Sequence, residues 1–225
     1  MPWAIQASLH LSDNKKGERH RAQAFTPWVV IGGWVIGLFV WSGCATTPTD
    51  KWIQASGKVP PYHELRAVPF FPQEEYQCGP AALAMVLAWS GLQIDAHELT
   101  PQVYTPSLKG SLQPAVIAAA RRHGRVADPI SGADALLKEI AAGHPVIVLQ
   151  NLGLSWVPVW HYAVVICYDL DKPTIILHSG TTNRKTTALN TFENTWARSK
   201  HWGLAVLPPD RLPATAEENS YIKAV

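Results

Sequence analysis

The sequence predicts one α+β domain, helical in its first half and antiparallel β in its second. Two observations carry this. From residue 78 to 142 the apolar residues fall in three runs of strong helix formers, each closed by a glycine (Gly91, Gly124, Gly143). From residue 146 to 207 they fall instead in short runs rich in Val and Ile. Helices grouped before strands give the α+β arrangement rather than alternating β-α-β units.

The first helix begins near Cys78. Ala81, Ala82, Leu83, Ala84, Met85, Val86, Leu87, Ala88 and Trp89 are mostly good helix formers, Pro80 suits the first turn, and Gly91 stands where a C-terminal cap belongs. This run is apolar nearly all round, so it is predicted to cross the middle of the domain rather than lie on its surface. A second helix is expected over 111–123 with Ser111 as N-cap, and a third over 132–142 with Ser131 as N-cap. Strands are expected at 146–150, 161–168, 174–178 and 203–207, with a short helix near 192–197 before the last. The domain is placed at 65–207, with a loose polar tail at 208–225.

The chain of 225 residues carries a long N-terminal extension, which leaves about 140 to 160 residues for one core. Lys15, Lys16, Arg19 and Arg21 precede a span without charge from Ala22 to Thr49, whose apolar heart runs from Trp28 to Trp41. A basic flank before an apolar run keeps the N-terminus in the cytoplasm and sends the downstream chain across the membrane. Residues 1–44 are therefore read as a signal peptide or signal anchor and 45–64 as a proline-marked tether. The predicted location is the cell envelope, with the domain on the non-cytoplasmic side, periplasmic in a cell with two membranes. A net charge of +2 gives no footprint for nucleic acid. The histidines show neither HExxH spacing nor a CxxC partner, so no metal is expected. No glycine pattern for a nucleotide is present, and no cofactor is expected.

Two residues carry the chemistry. Cys78 opens an apolar helix, and His161 opens the strand-like run HYAVVICY some eighty residues later. A helix N-terminus and an imidazolium neighbour both lower a thiol pKa, which makes a nucleophile at neutral pH. The bland alternatives are an inert core thiol and a polar cap on a strand. Against the first, Glu74, Glu75 and Gln77 just upstream and Gly79-Pro80 just downstream make a wet, sharply turned site. Cys167, inside VVICY, reads as a core residue.

QCGPAALAM, with WHYAVVICYD farther along the chain, resembles the bacteriocin-processing, or double-glycine-leader, cysteine peptidases of the papain-like superfamily. The resemblance covers about residues 65–207. It implies the papain-like fold, with Cys78 as nucleophile and His161 as general base. Gln73 would be the oxyanion-hole donor, one residue nearer the cysteine than is usual in the family, with Gln77 as second candidate. Relatives carry an Asp at the end of the strand after the His, and His178 is assigned to that position as the orienter of His161, with Asp169 as a weaker alternative. The ending WSGC resembles a lipoprotein cleavage site, which would make Cys44 a lipidated first residue; an uncleaved anchor is the other reading.

Together these features predict a membrane-tethered cysteine peptidase acting on a peptide or protein substrate. The same cleft would equally serve a catalytically weak peptide-binding module, or an amidase or acyl-transfer enzyme of the cell wall. Nothing in the sequence fixes the oligomeric state.

Overall fold

Ten consecutive residues of the first helix, Gly79 to Ala88, are buried, and the domain is built around them. The computed structural model describes Trp52, Ala55, residues 57–73 and residues 76–216. The apolar N-terminal run expected to be a signal peptide or anchor, and Cys44, lie outside the described residues. Among those described, no helix is long and apolar enough to cross a membrane.

Five α-helices are fully bounded among the described residues: α1 (Cys78–Trp89), α2 (Ala96–Val103), α3 (Gln113–Arg122), α4 (Ala133–Ala141) and α5 (Leu189–Trp196). The strands are β1 (Tyr62–Glu64), β2 (Tyr104–Thr105), β3 (Gly110–Ser111), β4 (Val126–Ser131), β5 (Val146–Asn151), β6 (Trp160–Asp169), β7 (Thr174–Ser179), β8 (Thr182–Ala188) and β9 (Trp202–Leu207). The main sheet runs β4-β9-β5-β6-β7-β8 in antiparallel pairs, and β1 pairs with the far end of β6. β2 and β3 form a separate two-stranded ribbon. The central strand β6 is buried from Tyr162 to Tyr168, as expected for a strand covered on both faces.

α1 ends as its sequence predicts. Gly91 adopts φ +87, and the Leu92 and Gly91 N–H groups return to the carbonyls of Leu87 and Ala88. The two later helices start two residues beyond their expected caps. Ser111 is paired in β3 and Ser131 belongs to β4, leaving Leu112 and Gly132 as N-caps. Six of these elements, α2, β1, β2, β3, β4 and β8, had no sequence expectation. α2 holds an internal Pro101, and β8, Thr-Asn-Arg-Lys-Thr-Thr-Ala, is exposed almost throughout and forms the charged outer edge of the sheet.

Both ends of the domain are packed more tightly than their composition suggests. Within the expected tether, Trp52 is 2% exposed, its Nε1–H donates to Glu193 Oε2 at 3.1 Å, and its ring lies 6.1 Å from Phe192 and 6.3 Å from Trp196. Within the expected loose tail, Thr215 donates its N–H and hydroxyl to Glu139 Oε1 at 2.9 and 2.7 Å. Glu139 is fully buried and its Oε2 meets His144 Nδ1 at 2.7 Å, so the tail supplies the donors for its other oxygen, Oε1.

Candidate active site

Cys78 is the first residue of α1, and no side chain caps that helix start. The free backbone donors there are left for another partner. Gly79 lets the two-stranded ribbon press against the turn: a Cβ at this position would stand 2.3 Å from Ser111 Oγ. The sulfur lies against the backbone N–H groups of Tyr162, Gly79 and Cys78 itself. Burial dominates the thiol and pushes its pKa up; these three donors pull it down but do not reverse the direction. The expected lowering by the helix N-terminus is therefore present and outweighed.

Tyr162 is the meeting point. Its N–H faces the Cys78 sulfur, and its carbonyl accepts from Gln73 Nε2 at 3.4 Å. Both groups of one strand residue point to the same edge. β5 already pairs with β6 here, through Leu149 opposite Tyr162, while β7 joins β6 only from Val164 onward. The start of α1 and the Gln73 amide thus fill the place on β6 that a neighbouring strand leaves open. Gln73 is further fixed by its backbone N–H, which donates to Gly180 O at 3.1 Å.

His161 precedes Tyr162, one peptide unit from the N–H that faces the sulfur. Its Nε2 lies 2.9 Å from Ser179 Oγ, and its Nδ1 has no hydrogen-bond partner among the described residues. Burial, aided by the positive charge of Lys185, holds its pKa down at about 4. At pH 7 the His161 ring is neutral and the Cys78 thiol is protonated.

His178, expected beside His161, is elsewhere. Its Nε2 lies 3.1 Å from Val68 O, its Nδ1 accepts the Arg184 N–H at 3.3 Å, and its ring packs 5.4 Å from Phe70. Strand register explains the displacement. His178 stands opposite Val164, so its side chain shares the Tyr162 and Val164 face of the sheet; His161 and Ala163 project to the other face. The next residue, Ser179, alternates back and meets His161. Asp169 stands at the far end of β6, opposite Tyr62 and Thr174, and its Oδ1 accepts from Lys172 N. Eight residues of strand, roughly 26 Å, separate it from His161.

Residues 65–203 match the Peptidase_C39 like family. The chain belongs to that family. Solved structures that share its fold include three C39-type domains. A candidate C39-like peptidase from Bacillus anthracis is 18% identical, with a TM-score of 0.55 over 65% of this chain and 97% of its own. The peptidase domain of Streptococcus ComA, a bi-functional ABC transporter of a quorum-sensing pathway, is 20% identical, with a TM-score of 0.51 over 63% and 98%. A double glycine motif protease from an AMS/PCAT transporter, solved with its leader peptide, is 21% identical, with a TM-score of 0.51 over 65% and 94%. No curated protein matches the chain. The fold is thus the papain-like fold of the C39 cysteine peptidases.

Within this C39-like domain the second candidate amide, Gln77, turns away from Tyr162. Its Oε1 accepts from Thr100 Oγ1 of α2 at 2.9 Å. With Phe71, Pro72, Ile94, Asp95 and His97 it lines a half-open groove of about 410 Å³ alongside the start of α1. Glu74 and Glu75, between the two glutamines, lie outside the described residues. Among the described residues no group of three or more His, Cys, Asp or Glu side chains could hold a metal ion. Cys78 and Gln73 both meet the backbone of Tyr162, next in the chain to His161, and the partner of the His161 ring is Ser179, which the sequence did not single out. A serine next to a histidine at a strand end carries no signal of its own; only the alternation of β7, set by its register on β6, separates the two.

Proposed function

We propose that this protein is a cysteine peptidase, tethered to a membrane of the cell envelope, that hydrolyses peptide bonds through Cys78 and His161. The observation that carries this is the approach of the Cys78 sulfur and the Gln73 amide to the N–H and C=O of Tyr162, the residue that directly follows His161 on β6. Membership of a peptidase family supports it, as does a structural neighbour solved with a leader peptide, which makes a peptide the natural substrate class here.

Both groups start neutral, so the proton moves during attack. In the tautomer that carries its proton on Nε2, His161 donates to Ser179 Oγ, 2.9 Å away, and Nδ1 is its basic nitrogen. As the Cys78 sulfur bonds to the scissile carbonyl carbon, the thiol proton passes to Nδ1. The carbonyl oxygen, now anionic, takes the Cys78 N–H and the second N–H of Gln73 Nε2, whose first is spent on Tyr162 O. Collapse breaks the C–N bond, and the imidazolium protonates the leaving amine. Water, deprotonated by the same Nδ1, then hydrolyses the thioester and restores the thiol. Ser179 orients the ring but brings no charge to stabilise the imidazolium.

The tether reading rests on the basic flank, the apolar run and the WSGC ending, with Cys44 as lipidated residue or the run as an uncleaved anchor. A second reading, a binding module that holds peptides in the same cleft without cutting them, is favoured by the raised thiol pKa and the missing carboxylate. Reaction with a peptidyl electrophile directed at cysteine peptidases separates the two. Labelling that is lost in Cys78→Ala and kept in Cys167→Ala supports the enzyme; equal labelling of both variants, or none of the parent chain, removes it.

A further inference from the structure

The loop between β5 and β6 displays an apolar surface that the proposed chemistry does not use. Leu152, Leu154, Trp156, Val157, Val159 and Trp160 are 46 to 75% exposed, and residues 152–160 contain no charged side chain. Contiguous exposed apolar residues on a soluble domain mark an interaction site.

The exposure is built rather than accidental. Leu154 and Val157 pair through two backbone hydrogen bonds of 3.1 and 3.2 Å, making a short hairpin with Ser155 and Trp156 at its tip. Asn151 Oδ1 accepts the N–H groups of Gly153 and Val159 at 3.0 and 2.9 Å, and Arg198 clamps the carbonyls of Asn151 and Gly153. Gly153 is required, since a Cβ there would stand 2.3 Å from Val157 O. The backbone satisfies itself, and the apolar side chains are pushed outward.

We propose that this hairpin inserts its tip into the surface of the phospholipid bilayer to which the chain is tethered. Two Trp residues among aliphatic ones, without charge, match the composition that settles at the headgroup level. A two-residue turn at a hairpin tip offers no groove for a peptide. The position of the hairpin also fits. Trp52, through which the chain arrives from its N-terminal apolar run, packs on α5 against Trp196, and Arg198, two residues on, grips the hairpin. From Trp41 to Trp52 the chain spans at most about 40 Å, so an anchored domain cannot move far from the bilayer. Trp160 directly precedes His161, which brings the catalytic cleft to the membrane surface and favours peptides that lie there.

The inference rests on the proposed tether. The test reconstitutes the full chain into vesicles of phosphatidylcholine and phosphatidylglycerol, plain or brominated in the acyl chains, alongside a Trp156→Phe chain. Subtracting the two emission spectra isolates Trp156 from the nine other tryptophans. The expected difference spectrum is blue-shifted and loses most of its intensity in brominated vesicles. If the chain floats with the vesicles but the Trp156 signal is that of an indole in water, the hairpin proposal fails and the tether stands. If the signal is blue-shifted yet unquenched, protein covers the tip and lipid does not, which also overturns it. A chain that fails to float removes both.

Discussion

Replacing Ser179 with Asp tests whether this site works from a neutral pair. The serine hydroxyl lies 2.9 Å from His161 Nε2, so a carboxylate fits at the same contact. A unit charge about 4 Å from an imidazolium, at the effective dielectric typical of such sites, is worth about 4 kcal/mol. That corresponds to about three pKa units on His161. Ser179 is buried, so desolvation of the new carboxylate takes part of this back. A net rise of about two units remains, lifting His161 from about 4 toward the neutral range and raising the population of the thiolate–imidazolium pair by about 10- to 100-fold. The assay is the rate of iodoacetamide alkylation of Cys78 against pH. In the parent chain the rate should climb through neutrality without a plateau, as a burial-raised thiol requires. In Ser179→Asp the inflection should move down by at least one unit, while Ser179→Asn, similar in shape without charge, should keep the parental profile. Superimposable profiles for Asp and Asn, with both variants folded, would refute the claim that Ser179 governs the imidazole.

Other perturbations reach the scaffold. Gly79→Ala should slow alkylation and lower stability by about 1 to 3 kcal/mol, since the new Cβ meets Ser111 at 2.3 Å; denaturant unfolding reads the second effect. Trp52→Ala should cost about 3 to 5 kcal/mol by emptying the space against Phe192 and Trp196, and a melting point unmoved by it would mean the contact contributes nothing. Truncation after Leu207 should cost about 1 to 3 kcal/mol, because Glu139 loses both Thr215 donors while staying buried. Stability should also fall in acid. The folded pKa of His161 is depressed to about 4, so its contribution is complete above the ordinary histidine value and is lost as pH drops toward 4, at most about 3 kcal/mol. The loss should shrink in His161→Gln when both are unfolded in urea at pH 7 and pH 4.

The elements legible in the sequence and those hidden in it divide along one physical line. α1 was legible because helix formers, a proline in the first turn and a glycine stop all agree at one place. β5, β6, β7 and β9 were legible as Val- and Ile-rich runs, each within two residues of its observed bounds. β8 was hidden because an edge strand that faces water on both sides has no hydrophobic alternation to read. The docking of Trp52 and Thr215 was hidden because a single anchoring contact leaves no periodic trace in a polar segment. Cys78 and His161 could be paired from their motifs, but choosing between His178 and Ser179 required the register of β7 on β6, and the bulge between Val165 and Cys167 shifts that register where counting along the chain would have set it.

The pKa directions at the site arise from the same burial that makes α1 stable. A helix apolar on all sides is driven to the centre of the domain, and its first residue goes in with it. The dipole and the backbone donors at its N-terminus then act on a thiol already removed from water, and burial wins. His161, on the most buried strand, is subject to the same force with opposite effect, since desolvation penalises its cation. Each group is thereby kept in its neutral form, which in the proposed mechanism places proton transfer at the moment of attack rather than before it. Under the proposed mechanism, a substrate that closes the cleft and brings its own developing oxyanion to the Cys78 and Gln73 N–H groups would supply the negative charge that stabilises the imidazolium. Thiol reactivity in such a site should therefore depend on the bound substrate: a peptidyl electrophile that fills the cleft should outpace iodoacetamide by a much larger factor in the parent chain than in Ser179→Asp, where the carboxylate already stabilises the cation. Equal ratios in the two proteins would show that the imidazolium is stabilised by something other than Ser179 or the substrate.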